Sequence, residues 1–146
     1  MIFQEAPQNF SSQVEVVACF LNFEDSFLFL HRPAHKRDGN LWGIPGGKRH
    51  TGESSEQAIL REVWEETGFE MSPQKLTDLG KVFIRDSTGF EFTYSMYEYV
   101  LEDFFDVRIN LEEHKGFSWM ELSEALHYPL IPDEDACIKH VYGVEK

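Results

Sequence analysis

Apolar side chains crowd two short stretches near the start of the chain. VEVVACFLNF, residues 14–23, is apolar on both alternating faces and rich in β-branched and aromatic residues. It predicts a strand covered on both sides. EDS turns the chain, and FLFLH, residues 27–31, returns as a second strand. RPAHKRDGN is a loop broken by Pro33 and by Asp38, Gly39 and Asn40. LWGIPGGK, residues 41–48, is a short extended piece entering a glycine-rich bend. The period then changes, with Ile59, Leu60, Val63 and Trp64 at helical spacing. Ser54 is the N-cap of that helix, Gln57 completes a capping box, and Gly68 stands where a left-handed residue ends it. KLTDLGKVFI and FEFTYSMYEYV flank RDSTG as a long hairpin. In the second arm Phe90, Phe92, Tyr94 and Met96 alternate with Glu91, Thr93, Ser95 and Tyr97, giving one buried and one wetter face. VRINL, residues 107–111, predicts a further strand, and SWMELSEAL, residues 118–126, a short helix. PDEDACIKHVY, residues 132–142, reads as a C-terminal helix with acids at its positive end. Strands interleaved with two or three helices predict a mixed β-sheet flanked by helices on both faces.

Composition narrows this picture. The 146 residues, 42% apolar and 14% aromatic, suit one domain spanning 1–146, with the polar residues 1–13 as a loose N-terminal arm. No repeat or linker divides the chain. The net charge of −13 disfavours nucleic acid and anionic membrane surfaces. The N-terminus lacks the pattern of a signal peptide, and the apolar runs are too short for a membrane span. Cys19, in a strand, and Cys137, in a helix, read as small core residues rather than a disulfide pair. The expectation is a reduced, cytoplasmic enzyme or binding domain. FLFLH and LEDFF are apolar enough for core or for a contact between copies, so a monomer and a homodimer both fit.

The helix over 55–67 carries the candidate chemistry. At 100° per residue Arg61, Glu62, Glu65 and Glu66 share an arc of about 140°, while Ile59, Leu60, Val63 and Trp64 occupy most of the opposite side. One side docks on the sheet, and the other presents three carboxylates within roughly 5–6 Å of one another at Cβ. Such a cluster suits a hard divalent cation, and it also suits a solvated acidic face. The surrounding frame favours the cation. Gly46 and Gly47 permit close backbone approach, Glu53 lies just before the helix, and Arg61 can hold the glutamates by charge-assisted bonds.

From Gly47 to Phe69 the chain reads G, five residues, E, seven residues, then REV-x-EE-x-GF. This array resembles the Nudix box at every specified position: Gly47, Glu53, Arg61, Glu62, Val63, Glu65, Glu66, Gly68 and Phe69. The resemblance, to MutT-type single-domain members, implies the Nudix fold, an α/β/α sandwich with a catalytic loop-helix-loop. It implies a hydrolase of a nucleoside diphosphate linked to another group, with Mg²⁺ or Mn²⁺ held by Glu62, Glu65, Glu66 and the Gly46 carbonyl. Glu53 and Arg61 would orient those carboxylates. A glutamate of the box, or Glu113 in the acidic loop NLEEHKGFSW, would act as base. Glu113 reads equally as a plain loop acid. His50 and His114 have no metal-ligand spacing and read as incidental.

Between His31 and Gly52 the chain carries Arg32, Lys36, Arg37, Lys48 and Arg49 against one acid, Asp38. That window is expected to form one wall of a phosphate site, with Lys48 and Arg49 nearest the glycines. Arg32, Lys36 and Arg37 also suit a solvated loop. The resemblance implies a base contact near the start of the C-terminal helix, where Asp133 falls, although Asp133, with Glu134 and Asp135, reads more readily as a helix-terminal acid. Trp42, Phe90, Tyr97 and Tyr99 are candidates to stack on a base or to fill the core. The expected partner is a small nucleotide-type substrate: a nucleoside triphosphate, oxidised or not, or else a nucleotide sugar or dinucleoside polyphosphate. The same fold also serves as a non-catalytic ligand-sensing module and in an isopentenyl diphosphate isomerase. The intact box argues against the first, and the lack of a cysteine near the box against the second.

Overall fold

The computed structural model describes residues 1–146. Its elements are β1 (Ile2–Phe3), β2 (Glu15–Phe23), β3 (Ser26–His31), β4 (Trp42–Gly43), β5 (Gly46–Lys48), α1 (Ser55–Thr67), β6 (Leu76–Arg85), β7 (Glu91–Val100), β8 (Gly116–Met120), α2 (Leu122–Ala125) and α3 (Glu134–Tyr142). The mixed sheet runs β1-β6-β7-β2-β3-β4, with β5 on β2 and β8 on β3. β2 pairs in parallel with β7 from Glu15 opposite Thr93 to Asn22 opposite Val100, and lies at the centre.

A strand buried on both faces divides its side chains between two cores. Val17, Cys19 and Leu21 of β2 face α1, packing with Leu28, Leu30, Ile59 and Val63. Ala18 and Phe20 face the other way, with Phe29, Met96, Met120 and the α3 residues Cys137 and Ile138. Helices thus cover both faces, and the α/β/α sandwich expected from the sequence is the architecture found. Both cysteines are free and buried. FLFLH lies in the core from Phe27 to Leu30, whereas Phe104 stays half exposed. No helix is long and apolar enough to cross a membrane.

The local signals of α1 hold. Ser54 accepts from the Gln57 amide while the Gln57 side chain accepts from the Ser54 amide, and Gly68 ends the helix at φ 77°. Three expectations need correction. SWM is strand, because Trp119 and Met120 pair with Leu28 and Phe27, and only Leu122–Ala125 is helical. Residues 107–111 form no strand; Val107 and Ile109 pack against the α1-side core from irregular chain. The first residues are not a loose arm, since Ile2 and Phe3 pair with Ile84 and Phe83 at the sheet edge.

Candidate active site

Gly46 and Gly47 allow β5 to lie against α1. A Cβ on Gly47 would stand 2.5 Å from the Glu62 carboxylate, and one on Gly46 2.2 Å from the Val17 carbonyl oxygen. The Gly46 amide donates to Glu66 Oε1 at 2.7 Å. The acidic side of α1 is therefore drawn onto backbone.

Arg61 organises the acids. Its Nε and Nη2 fork onto Glu53 at 3.1 and 2.7 Å, and its Nη1 donates to Glu62 at 2.9 Å and Glu65 at 3.2 Å. Nη2 also donates to the Lys48 carbonyl at 3.1 Å, tying helix to strand. The Arg61 bonds and the His50 amide hold the Glu53 carboxyl down at about 2. Glu62 and Glu66 move the other way. Burial raises Glu62 against the pull of Arg61. Burial raises Glu66 well above the usual range, and the charge of Glu62 adds to the rise. One guanidinium does not compensate this many carboxylates in a shielded place.

These acids open on a cleft of about 300 Å³ with no hydrophobic side chain in its wall. Glu62 and Glu66 line it with Glu113, His114, His50, Arg32, Lys36, Lys48 and the two glycines. Burial pushes His114 down to about 4, aided by Arg32 and Lys36, so the ring is neutral at pH 7. A second cavity of about 760 Å³ shares Arg32, Gly46, Gly47 and Lys48 with the cleft and continues over Val16, Ile84, Phe90, Phe92 and Ile131. Asp133 and Glu134 also line it. A small polar, charged cleft thus joins a large, half-apolar one along a common basic wall.

The predicted residues fall as follows. Glu62, Glu66 and Glu113 converge on the cleft, while Glu53 and Arg61 stand behind them. Glu65 is 52% exposed and lines neither cavity, although the same Arg61 nitrogen links it to Glu62. The contact formed by Gly46 is through its amide. Lys48 and Arg32 line both cavities. Arg49 lines neither; its guanidinium bonds Glu15 at 2.7 Å and the Glu53 carbonyl at 3.0 Å, so it braces the loop instead of facing phosphate. Asp133, with φ 67°, makes no capping bond, and its carboxylate meets the Met1 amine at 2.9 Å. Among the aromatics Phe90 lines the large cavity, Trp42 stacks on His31, and Tyr97 and Tyr99 belong to the core.

Two residues need a different reading from the one their sequence suggests: His114 is not incidental, and Glu134 is not a solvated helix-terminal acid. His114 sits beside Glu113 and reaches the cleft, with Nε2 3.7 Å from Glu66. The adjacent pair Glu113-His114 is the only local signal for it. Glu134, read as one of several helix-terminal acids, is buried, with Oε2 accepting from the Tyr94 hydroxyl at 3.1 Å and Oε1 unpaired. No signal in the sequence sets it apart from Asp135.

A divalent cation fits this donor set. Carboxylate oxygens of Glu66 and Glu113 and a ring nitrogen of His114 lie within 4.8 Å of one another, the Gly47 cradle would be filled by any Cβ, and a buried imidazole nitrogen has no partner.

The NUDIX domain family pattern matches residues 11–141. The CTP pyrophosphohydrolase of Escherichia coli K12 is 31% identical over 119 residues, spanning 82% of this chain and 84% of that protein. The MutT protein of Methanosarcina mazei Go1 superposes with TM-score 0.69 at 28% identity, over 81% of this chain and 84% of that one. A MutT Nudix hydrolase from Burkholderia pseudomallei gives TM-score 0.76 at 23% identity, over 88% and 97%, a likeness of fold.

Proposed function

The chain belongs to the Nudix family of hydrolases acting on phosphoric anhydride bonds, and from that premise we propose that it cleaves a nucleoside triphosphate to the monophosphate and pyrophosphate. The observation that carries this reading is the joining of the two cavities. A base and sugar fill the larger one, and the phosphates run past Lys48 and Arg32 into the acidic cleft. The similarity to a CTP pyrophosphohydrolase supports a triphosphate. A nucleotide sugar would place a second bulky group where the cleft offers about 300 Å³.

Glu62, Glu66 and Glu113 would hold Mg²⁺ or Mn²⁺, with Glu65 exposed outside the cleft; Glu53 acts through Arg61, fixing the guanidinium that positions Glu62 and Glu65. When bound, the cation neutralises the diphosphate, polarises the scissile P–O bond and lowers the pKa of the attacking water. Water adds at phosphorus, the bridging P–O bond breaks toward pyrophosphate, and the proton of the water passes to a carboxylate. A glutamate of the box takes that proton, since Glu113 is committed to the cation. Asp133 and Glu134 face the base, where carboxyl oxygens accept from exocyclic amines.

A panel of nucleoside triphosphates, nucleotide sugars and dinucleoside polyphosphates with Mg²⁺ tests the reading. It expects monophosphate and pyrophosphate from a triphosphate. Faster turnover of a nucleotide sugar, or release of orthophosphate, would contradict it.

A further inference from the structure

One side chain in the cleft lacks any partner of its own. The His114 imidazole is 8% exposed, and Nδ1 is buried without a hydrogen bond. Nε2 faces Glu66 Oε2 at 3.7 Å, too long for a hydrogen bond. Buried polar groups are nearly always satisfied, so an orphaned imidazole beside a carboxylate points to something that both of them bind. The loop delivers it deliberately. The Glu113 and His114 amides both donate to the Asn110 carbonyl at 2.9 Å, which turns the two consecutive side chains into the cleft. One donor atom each from Glu66, Glu113 and His114 lies within 4.8 Å of the others. Neighbouring ligands of a small divalent cation stand roughly 3 Å apart, so a modest closing of the loop completes the set.

We propose that His114 is a nitrogen ligand to a divalent cation shared with Glu66 and Glu113, biasing the site toward Mn²⁺ or Co²⁺ over Mg²⁺. Imidazole nitrogen suits the transition metals, whereas Mg²⁺ prefers a shell of oxygens. An all-carboxylate site has no such bias beyond the general order of affinities. The inference rests on the reading that Glu66 holds the catalytic cation.

The test is the electron spin-echo modulation of Mn²⁺ bound to the full chain, with Mn²⁺ and Mg²⁺ affinities measured alongside. Wild type is expected to show histidine nitrogen coupling that survives His50→Gln and vanishes in His114→Gln. His114→Asn serves if the glutamine variant does not fold. Mn²⁺ affinity is expected to fall about tenfold or more without His114, in the range for lost ligand support, with Mg²⁺ affinity changing much less. Mn²⁺ held at the acids without nitrogen coupling, or an equal loss for both ions, overturns the assignment and leaves the carboxylate site standing. Failure of Mn²⁺ to bind at all removes the carboxylate site as well.

Discussion

The amide of Gly46 donates a 2.7 Å hydrogen bond to Glu66, a residue 20 positions further along the chain. That bond pins a buried carboxylate between a glycine-rich strand and the last turn of α1. It is a poor bargain for stability alone, since the other oxygen of Glu66 meets only His114 at 3.7 Å while Glu62 repels it.

Glu66→Gln is therefore expected to leave the metal-free fold as stable as wild type or more so, while lowering turnover by orders of magnitude. Wild-type protein gains melting temperature with Mg²⁺, because an ion bound only to the folded state stabilises it, and the variant does not. Thermal melts with and without Mg²⁺, paired with single-turnover assays, check both halves. A variant that melts well below wild type in chelator would show Glu66 to be structural.

Arg61 forks onto Glu53 and reaches Glu62, Glu65 and the Lys48 carbonyl. A lysine cannot reproduce five planar donors. Arg61→Lys should weaken Mg²⁺ binding by about 10–100-fold although the charge is kept. Isothermal titration measures it, and unchanged affinity would leave the guanidinium as mere surface.

Lys48 lines both cavities, where it can grip a phosphate in ground and transition states alike. Lys48→Ala then raises KM with little change in kcat. The reverse pattern in steady-state kinetics would assign Lys48 to the transition state alone.

Burial raises the Glu134 carboxyl to about 7, against the Tyr94 hydroxyl bond and with help from Asp135. In the unfolded chain it titrates near 4.3, so between roughly pH 4.3 and 7 the folded state holds a proton that the unfolded state has released. Stability is greatest below that window and falls through it by up to roughly 4 kcal/mol as pH rises. Glu134→Gln abolishes this slope and is more stable than wild type at pH 8. Urea melts from pH 4 to 8 decide it, and parallel curves for the two proteins would contradict the shift.

What could be read from the sequence was local. Ser54, Gln57 and Gly68 fix α1 within one stretch of chain, and the box spacing places Glu62 and Glu66 on one side of it. What escaped depends on distant pairing. Trp119 has helix-compatible spacing with Leu122, yet pairing with β3 makes Trp119 and Met120 strand. Arg49 looked like a phosphate ligand because it follows Lys48. Just past β5 it pairs instead with Glu15, through its amide and its guanidinium. His114 meets Glu66 only through the tertiary fold, and Glu134 is buried where the start of α3 meets Tyr94 of β7, 40 residues away in the chain.

The most direct measurement is a crystal structure grown with Mn²⁺, with the ion located by its anomalous scattering. The account predicts a peak in the cleft bounded by Glu62, Glu66 and Glu113. No peak there, in crystals whose protein still hydrolyses nucleotides with that ion, would contradict it.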